Sequence, residues 1–253
     1  VAPDGRVAIT DAAASRVHVL DPSGTRVATW GDGSAGQPEL DQPGGLDVTT
    51  DGEVWVADRG NARLVAATLD GRQTDDLSLD APAIEGSEPR DVAVTSDGIW
   101  VATEIGIALL DRGGRGVSLR GLLPDAPASA VAARAAFGVY ATVARLGEDP
   151  GIWRYLYGQQ SGEPQSKMSS PMAVPGFFDG LETVGVGDDG NAYLLDVPPR
   201  AQILSPTGAV LGQMLMPDPI EIDADANGRV FAASGDVLRA FRPDGVELWT
   251  AKI

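Results

Sequence analysis

The chain has no cysteine, one histidine (His18), two lysines (Lys167 and Lys252) and no long apolar run. Without cysteine there is no disulfide framework, no thiolate zinc site and no cysteine nucleophile. A single imidazole cannot furnish a site that needs several. The longest stretch of low charge, 126–146, is broken by Arg134 and Arg145, so nothing in the sequence reads as a membrane span. No GxSxG elbow and no phosphate-cradling P-loop occurs, and glycine pairs such as Gly113-Gly114 therefore read as turns. Basic residues are also scarce, 19 against 36 acidic ones, for a net charge of −17. Such a surface repels phosphate backbones and anionic lipid, which argues against nucleic-acid binding and direct membrane insertion; its plain use is solubility.

What the chain does have is turns, with 32 glycines and 18 prolines in 253 residues. From Pro43 to Gly71 the apolar alternation predicts a strand through Leu46 and Val48, a turn at Asp51-Gly52, and a second strand through Val54 and Val56. A break at Asp58-Arg59-Gly60-Asn61 and a third strand through Leu64 complete an antiparallel meander. A lone meander cannot cover its own apolar faces, so the unit must recur. It does, at turn glycines Gly5, Gly52, Gly98, Gly138, Gly190 and Gly228, spaced 38 to 52 residues apart. An aromatic follows five of the six glycines, as Trp55, Trp100, Tyr140, Tyr193 and Phe231, and reads as inter-blade core. A short polar residue follows all six, as Asp11, Asp58, Thr103, Thr142, Asp196 and Ser234, and reads as a turn or cap group.

Periods of this length leave room for four strands each, which predicts an all-β, six-bladed β-propeller of four-stranded antiparallel blades in a single domain, 1–253. The blades fall at 1–41, 42–80, 81–123, 124–164, 180–217 and 218–253. The first lacks most of its innermost strand, because the sequence opens on Val1-Ala2-Pro3-Asp4-Gly5. With no initiator methionine and no signal peptide, the chain reads as a mature product or a piece of a longer protein. A loop insertion is expected at 165–179, where Pro171 and Pro175 argue against regular strand. Its Met168, Met172, Phe177 and Phe178 either plug the propeller or contact a partner.

The run from Trp30 to Leu40 (WGxGxxGxxxL), then Pro43-x-Gly45-Leu46, Asp51-Gly52 and Val56-Ala57-Asp58-Arg59-Gly60-Asn61-x-Arg63, resembles the NHL repeat over residues 25–71. Other copies depart from it, with Thr103-Glu104-Ile105-Gly106 and Thr142-Val143-Ala144-Arg145 replacing the aspartate-led turn. The resemblance implies a six-bladed propeller used mostly for binding. In physical terms, Asp58 should accept hydrogen bonds from amides of the turn that follows it, while Gly60 and Asn61 tolerate positive φ.

Chemistry in such a fold belongs to the innermost strands. Six residues before each turn glycine stand Leu46, Val92, Ala132, Val184 and Ile222, all apolar and expected to face the packing. The alternate positions are more polar, and among them Asp47, Asp91, Glu221 and Asp223 form an acidic lining. These four are the candidate metal ligands, for Ca²⁺ or another hard cation, with a water-filled acidic channel as the plain alternative. Arg90 and Thr183, near the starts of their strands, are candidate ligand contacts; for Arg90 a pairing with a carboxylate is the plain alternative. Propeller lyases use several histidines, whereas His18 alternates with apolar residues in Arg16-Val17-His18-Val19-Leu20 and reads as a surface strand position. Gluconolactonase-like propellers bind a divalent cation through acidic and asparagine ligands, but Asn61, Asn191 and Asn227 fall in or beside turns. The sequence therefore points to a non-catalytic binding or scaffold module for an unknown protein partner or small ligand, in a larger, extracytoplasmic or secreted protein. A metal-dependent lactonase or esterase using the acidic lining is the alternative.

Overall fold

The computed structural model describes residues 1–79, 84–96, 98–111, 119–124, 128–134, 138–143, 151–155, 166–168, 183–187, 189–196, 200–215, 220–225 and 227–253. The fold is an all-β propeller built of consecutive-strand meanders. The chain divides into two compact units, Val1–Ala128 and Ser129–Ile253.

Unit 1 holds three sheets. The first is β1 (Val7–Asp11), β2 (Arg16–Leu20) and β3 (Arg26–Trp30). The second is β4 (Pro43–Val48), β5 (Glu53–Asp58), β6 (Arg63–Thr68) and β7 (Gln73–Ser78), with a 3-10 turn at Arg59–Asn61. The third is β8 (Pro89–Thr95), β9 (Gly98–Thr103), β10 (Gly106–Leu110) and β11 (Leu119–Pro124). Unit 2 carries the fourth sheet, β12 (Ala128–Arg134, starting at the boundary), β13 (Gly138–Val143), β14 (Gly151–Tyr155) and β15 (Ser166–Met168). The fifth follows as β16 (Val184–Val186), β17 (Ala192–Asp196), β18 (Arg200–Leu204) and β19 (Val210–Leu215). The sixth is β20 (Glu221–Ala224), β21 (Val230–Ser234), β22 (Val237–Phe241) and β23 (Glu247–Lys252).

Among the described residues, five sheets have the four strands of a complete blade and the first has three, in line with a first copy lacking its innermost strand; the broader expectation of four strands in every blade is corrected there. The reason is visible at Ala2–Arg6. Ala2 N–H donates to the Arg6 carbonyl at 2.8 Å and Gly5 N–H to the Ala2 carbonyl at 2.9 Å, so this segment is already the first hairpin turn, with β1 following it. The same two bonds close the turn at Thr49–Glu53, both at 2.9 Å. They recur at Gly187–Asn191 and Asp225–Arg229, and between third and fourth strands at Asp21–Thr25, Thr68–Arg72, Ser205–Ala209 and Arg242–Val246. Each turn needs one left-handed residue, and Gly52, at φ +83°, adopts that conformation without a Cβ clash.

The expected loop at 165–179 is corrected at its start. Residues 166–168 pair with β14 in the register Ile152↔Met168 and complete the fourth sheet. Pro164 and Pro171 flank this short strand, so neither removes one of its ladder hydrogen bonds.

Packing follows the aromatic column. Trp55, Trp100, Tyr140, Tyr193 and Phe231 are all buried. Trp55 packs with Leu64, Leu77 and Ile84 against Val92, Ile99 and Leu110 of the third sheet. On the other face of the second sheet, Val54, Val56 and Val65 meet Val17, Val19 and Trp30 of the first. Each such aliphatic side chain contributes about 1.5–3 kcal/mol through burial, so these contacts hold successive sheets face to face. Among the described residues, no helix is long and apolar enough to cross a membrane.

Candidate functional site

The innermost strands β4, β8, β16 and β20 alternate as the pattern requires. Val92, Val184 and Ile222 are buried and Leu46 packs at the margin of the core, which leaves the neighbouring positions for polar groups.

In unit 1 those polar groups are tied to backbone. Asp47 accepts the amide of Val48 through Oδ1 and the amide of Val94, in the next sheet, through Oδ2, each at 2.8 Å. Asp91 accepts the Val92 amide at 2.8 Å, and its Oδ1 lies 1.9 Å from where a Cβ on Gly45 would stand. Gly44 likewise abuts the Arg90 carbonyl, 2.3 Å from a Cβ in its place. Only glycine at both positions lets β4 approach β8 this closely. Arg90 sits at the β-bulge that opens β8, where the register shifts between Pro89 and Asp91. No carboxylate among the described residues forms an ion pair with it.

In unit 2, Thr183 is buried and its hydroxyl donates to Oε1 of Glu221. Glu221 also accepts the Ile222 amide at 3.3 Å, and Asp223 accepts the Ala224 amide at 2.7 Å. Glu221 keeps solvent contact, yet the protein packed round its carboxyl pushes its pKa up to about 7. The Asp223 charge pushes the same way, while the Thr183 and Ile222 bonds oppose. Unit 1 therefore contributes two of the four candidate carboxylates and unit 2 the other two. Among the described residues, no three acidic, imidazole or thiol side chains gather in a metal-binding cluster. Of the candidate ligand contacts in the loop, Met172, Phe177 and Phe178 lie outside the described residues; Met168 is placed by its backbone in β15.

Three local expectations are corrected. Asp58 is fully buried, but it accepts the amide of Asp41 at 2.8 Å, Asn61 Nδ2 at 2.9 Å and Arg63 Nε at 2.8 Å rather than amides of the turn that follows it. The left-handed residue of that turn is Ala62, at φ +49°, not Gly60 or Asn61. Gly60 is required for space instead, since a Cβ there would stand 2.4 Å from Cγ of Asp41. His18 is buried rather than at the surface, hydrogen-bonded through Nδ1 to Thr29 Oγ1 at 2.9 Å. Burial lowers its pKa, and the Arg26 charge acts the same way against the opposing Asp11.

Sequence reasoning missed one concavity. A surface cleft of about 650 Å³ is lined by Glu39, Leu40, Asp41, Asn61 and Arg63. Its signal was present in the Trp30–Leu40 run and in Arg63, which read only as fold-making. Arg63 is heavily engaged, by Asp58, by Asp76 at 2.5 Å and by the Glu39 carbonyl at 2.7 Å, so the wall of the cleft is a braced surface. Asn191 and Asn227 are turn residues, their amides donating to Asp189 and Asp225 at 2.9 Å each.

Among solved structures the whole chain aligns with virginiamycin B lyase from Staphylococcus aureus, at 16% identity and a TM-score of 0.64, covering 82% of that chain. Kuenenia stuttgartiensis hydrazine synthase aligns with 96% of this chain and 75% of its own, at 13% identity and a TM-score of 0.65. The calcium-binding protein regucalcin from Agrobacterium tumefaciens str. C58 aligns with 83% of this chain and 74% of its own, at 15% identity and a TM-score of 0.57. These likenesses establish the propeller fold. No curated protein sequence matches the chain. In sequence, residues 40–66 match the NHL repeat.

Proposed function

We propose that this propeller is a non-catalytic binding module that recognises a protein partner or small ligand as part of a larger or extracytoplasmic protein. The observation that carries the reading is the use of Asp47, whose two oxygens are spent on the amides of Val48 and Val94. An acidic residue so engaged stitches sheets together and is not poised to take a proton or a metal. The only imidazole is buried and held on Thr29, which removes the commonest general base. The segment 169–174, which includes Met172, is the proposed contact. Deleting it while keeping β15 should abolish capture by the partner and leave the melting temperature unchanged; retained capture refutes the contact.

A second reading is supported by Glu221 and Asp223, acids two residues apart on β20, where the surrounding protein and, to a lesser extent, the Asp223 charge raise the Glu221 pKa. A hard cation would be held by these two carboxylates, with Thr183 orienting Glu221, and would supply Lewis-acid activation of a lactone or ester. The calcium-binding description of regucalcin gives this reading its cation. A lactone and ester panel with Ca²⁺, Mn²⁺ or Zn²⁺ separates the two: turnover that disappears in Asp223→Ala replaces the binding-module reading, and no turnover with no calorimetric heat at millimolar Ca²⁺ removes the hydrolase.

A further inference from the structure

Two arginines meet where the second and third sheets begin. A Cβ on Gly44 would stand 2.3 Å from the Arg90 carbonyl and 3.1 Å from Cδ of Arg59, so the start of β8 and the Arg59 side chain both abut β4 there. Both innermost strands open on an irregularity at this end, β4 with a register shift between Pro43 and Leu46 and β8 with one between Pro89 and Asp91. Bulges of this kind re-aim side chains, and Arg90 is the extra residue of the second one.

Neither guanidinium is saturated by the protein. Arg63 shows what saturation looks like here, with Nε donating to Asp58 at 2.8 Å, Nη1 to Asp76 at 2.5 Å and Nη2 to the Glu39 carbonyl at 2.7 Å. Arg59 donates through Nη2 alone, to Oε2 of Glu88 at 3.3 Å, longer than the roughly 2.7–2.9 Å of a charge-assisted bond. Its Nε is buried with no partner. Arg90 is half-buried, and among the described residues its side chain forms no ion pair and donates no hydrogen bond. Uncompensated positive charge is scarce in a chain of net charge −17. A guanidinium presents its N–H donors in a planar fork that matches a carboxylate.

Glu88 identifies the chemistry that the pair takes. Its exposed carboxylate rests on Arg59 through one long bond, so a carboxylate from outside that made two short ones would displace it. A phosphate fits the same fork, but its second charge meets Glu88 and Glu104, which are held together by the Glu88 amide donating to Oε2 of Glu104 at 3.0 Å. We propose that Arg59 and Arg90 form a receptor for the carboxylate of a small ligand at the starts of β4 and β8, with Glu88 as its resident competitor. The site uses no residue of segment 169–174 and neither Glu221 nor Asp223, so it goes beyond both functional readings and stands or falls without them.

The test is a magnetic-resonance titration of the intact chain, carrying isotope-labelled arginine, with sodium acetate at constant ionic strength made up with chloride. Nε–H of Arg59 is shielded from water and exchanges slowly enough to be followed. Its signal should shift and saturate, while that of Arg63, held by Asp58, stays in place. Arg90→Gln should weaken acetate binding by about tenfold, the loss of one hydrogen bond to a charged group. It breaks no bond within the described protein, so its melting temperature should match the parent's. Glu88→Gln should strengthen acetate binding by about threefold, since an exposed ion pair competes only weakly. A shift that never saturates, that chloride alone reproduces, or that persists unchanged in Arg90→Gln overturns the proposal. So does a Glu88→Gln protein that binds acetate no better, and inorganic phosphate binding more tightly than acetate overturns the carboxylate assignment.

Discussion

Oδ2 of Asp47 accepts the amide of Val94 at 2.8 Å, a bond between residues 47 apart in sequence and on the innermost strands of successive sheets. A carboxylate that looks like a channel ligand is, by its contacts, a seam between β4 and β8. Asp47→Ala leaves the amides of Val48 and Val94 without this acceptor, and a buried amide that loses its partner costs about 1–3 kcal/mol. Urea denaturation should show the lowered midpoint, with Asp47→Asn falling between Asp47→Ala and the parent because one amide oxygen remains.

Asp58 and Arg63 offer a sharper test. Asp58 is wholly buried and holds Asp41, Asn61 and Arg63 at once, so Asp58→Ala leaves the Asp41 amide, the Asn61 side-chain amide and Arg63 Nε without this acceptor, while Arg63 keeps Asp76 and the Glu39 carbonyl. Each buried donor left without its partner costs about 1–3 kcal/mol. Thermal unfolding followed by circular dichroism should report a loss larger than that of Asp47→Ala; an equal or smaller loss contradicts the assignment of Asp58 as the brace of this turn.

Two turn glycines separate strain from crowding. Gly52 and Gly71 have φ of +83° and +87°, so alanine at either meets the left-handed penalty of about 1–2 kcal/mol. Gly52 has open space around it, whereas a Cβ on Gly71 would stand 2.4 Å from Cβ of Trp30. Gly71→Ala should therefore lose a further 1–3 kcal/mol, roughly the cost of overpacking, and should perturb tryptophan fluorescence where Gly52→Ala does not.

The acid pair on β20 sets a pH dependence. Folded Glu221 keeps its proton to about 7, against 4.5 for an unperturbed glutamate. The folded state thus binds more protons between these values, and the contribution of Glu221 to stability, fully present below 4.5, is lost as pH rises through about 7. Glu221→Gln has no such loss, so its stability relative to the parent should climb from pH 4 to pH 8. A difference between the two proteins that stays flat across that range refutes the crowded, protonated Glu221.

The meander at Pro43–Gly71 was legible in sequence because each of its signals is local: alternation, turn glycine, aromatic. Its observed strands, β4, β5 and β6, contain every apolar residue used to draw them. The burial of His18 was not legible, because Thr29 comes from the neighbouring strand of the same sheet and only the pairing His18↔Thr29 brings them together. The role of Asp58 was half legible: its type announced a turn carboxylate, while its partner Asp41 depends on how the preceding loop folds back. The use of Asp47 was missed for a related reason, since its acceptor role rests on how closely β4 meets β8, and that distance is set by Gly44 and Gly45.

Among the described residues, turn after turn between neighbouring strands is made by a glycine amide reaching a carbonyl three residues behind it, as from Gly24 to Asp21, Gly52 to Thr49 and Gly245 to Arg242. Such loops close on short stretches of chain, and short closures are the fast ones in a folding reaction. A ribosome emitting this polypeptide would thus release hairpins already able to zip, one after another, long before the last glycine is made.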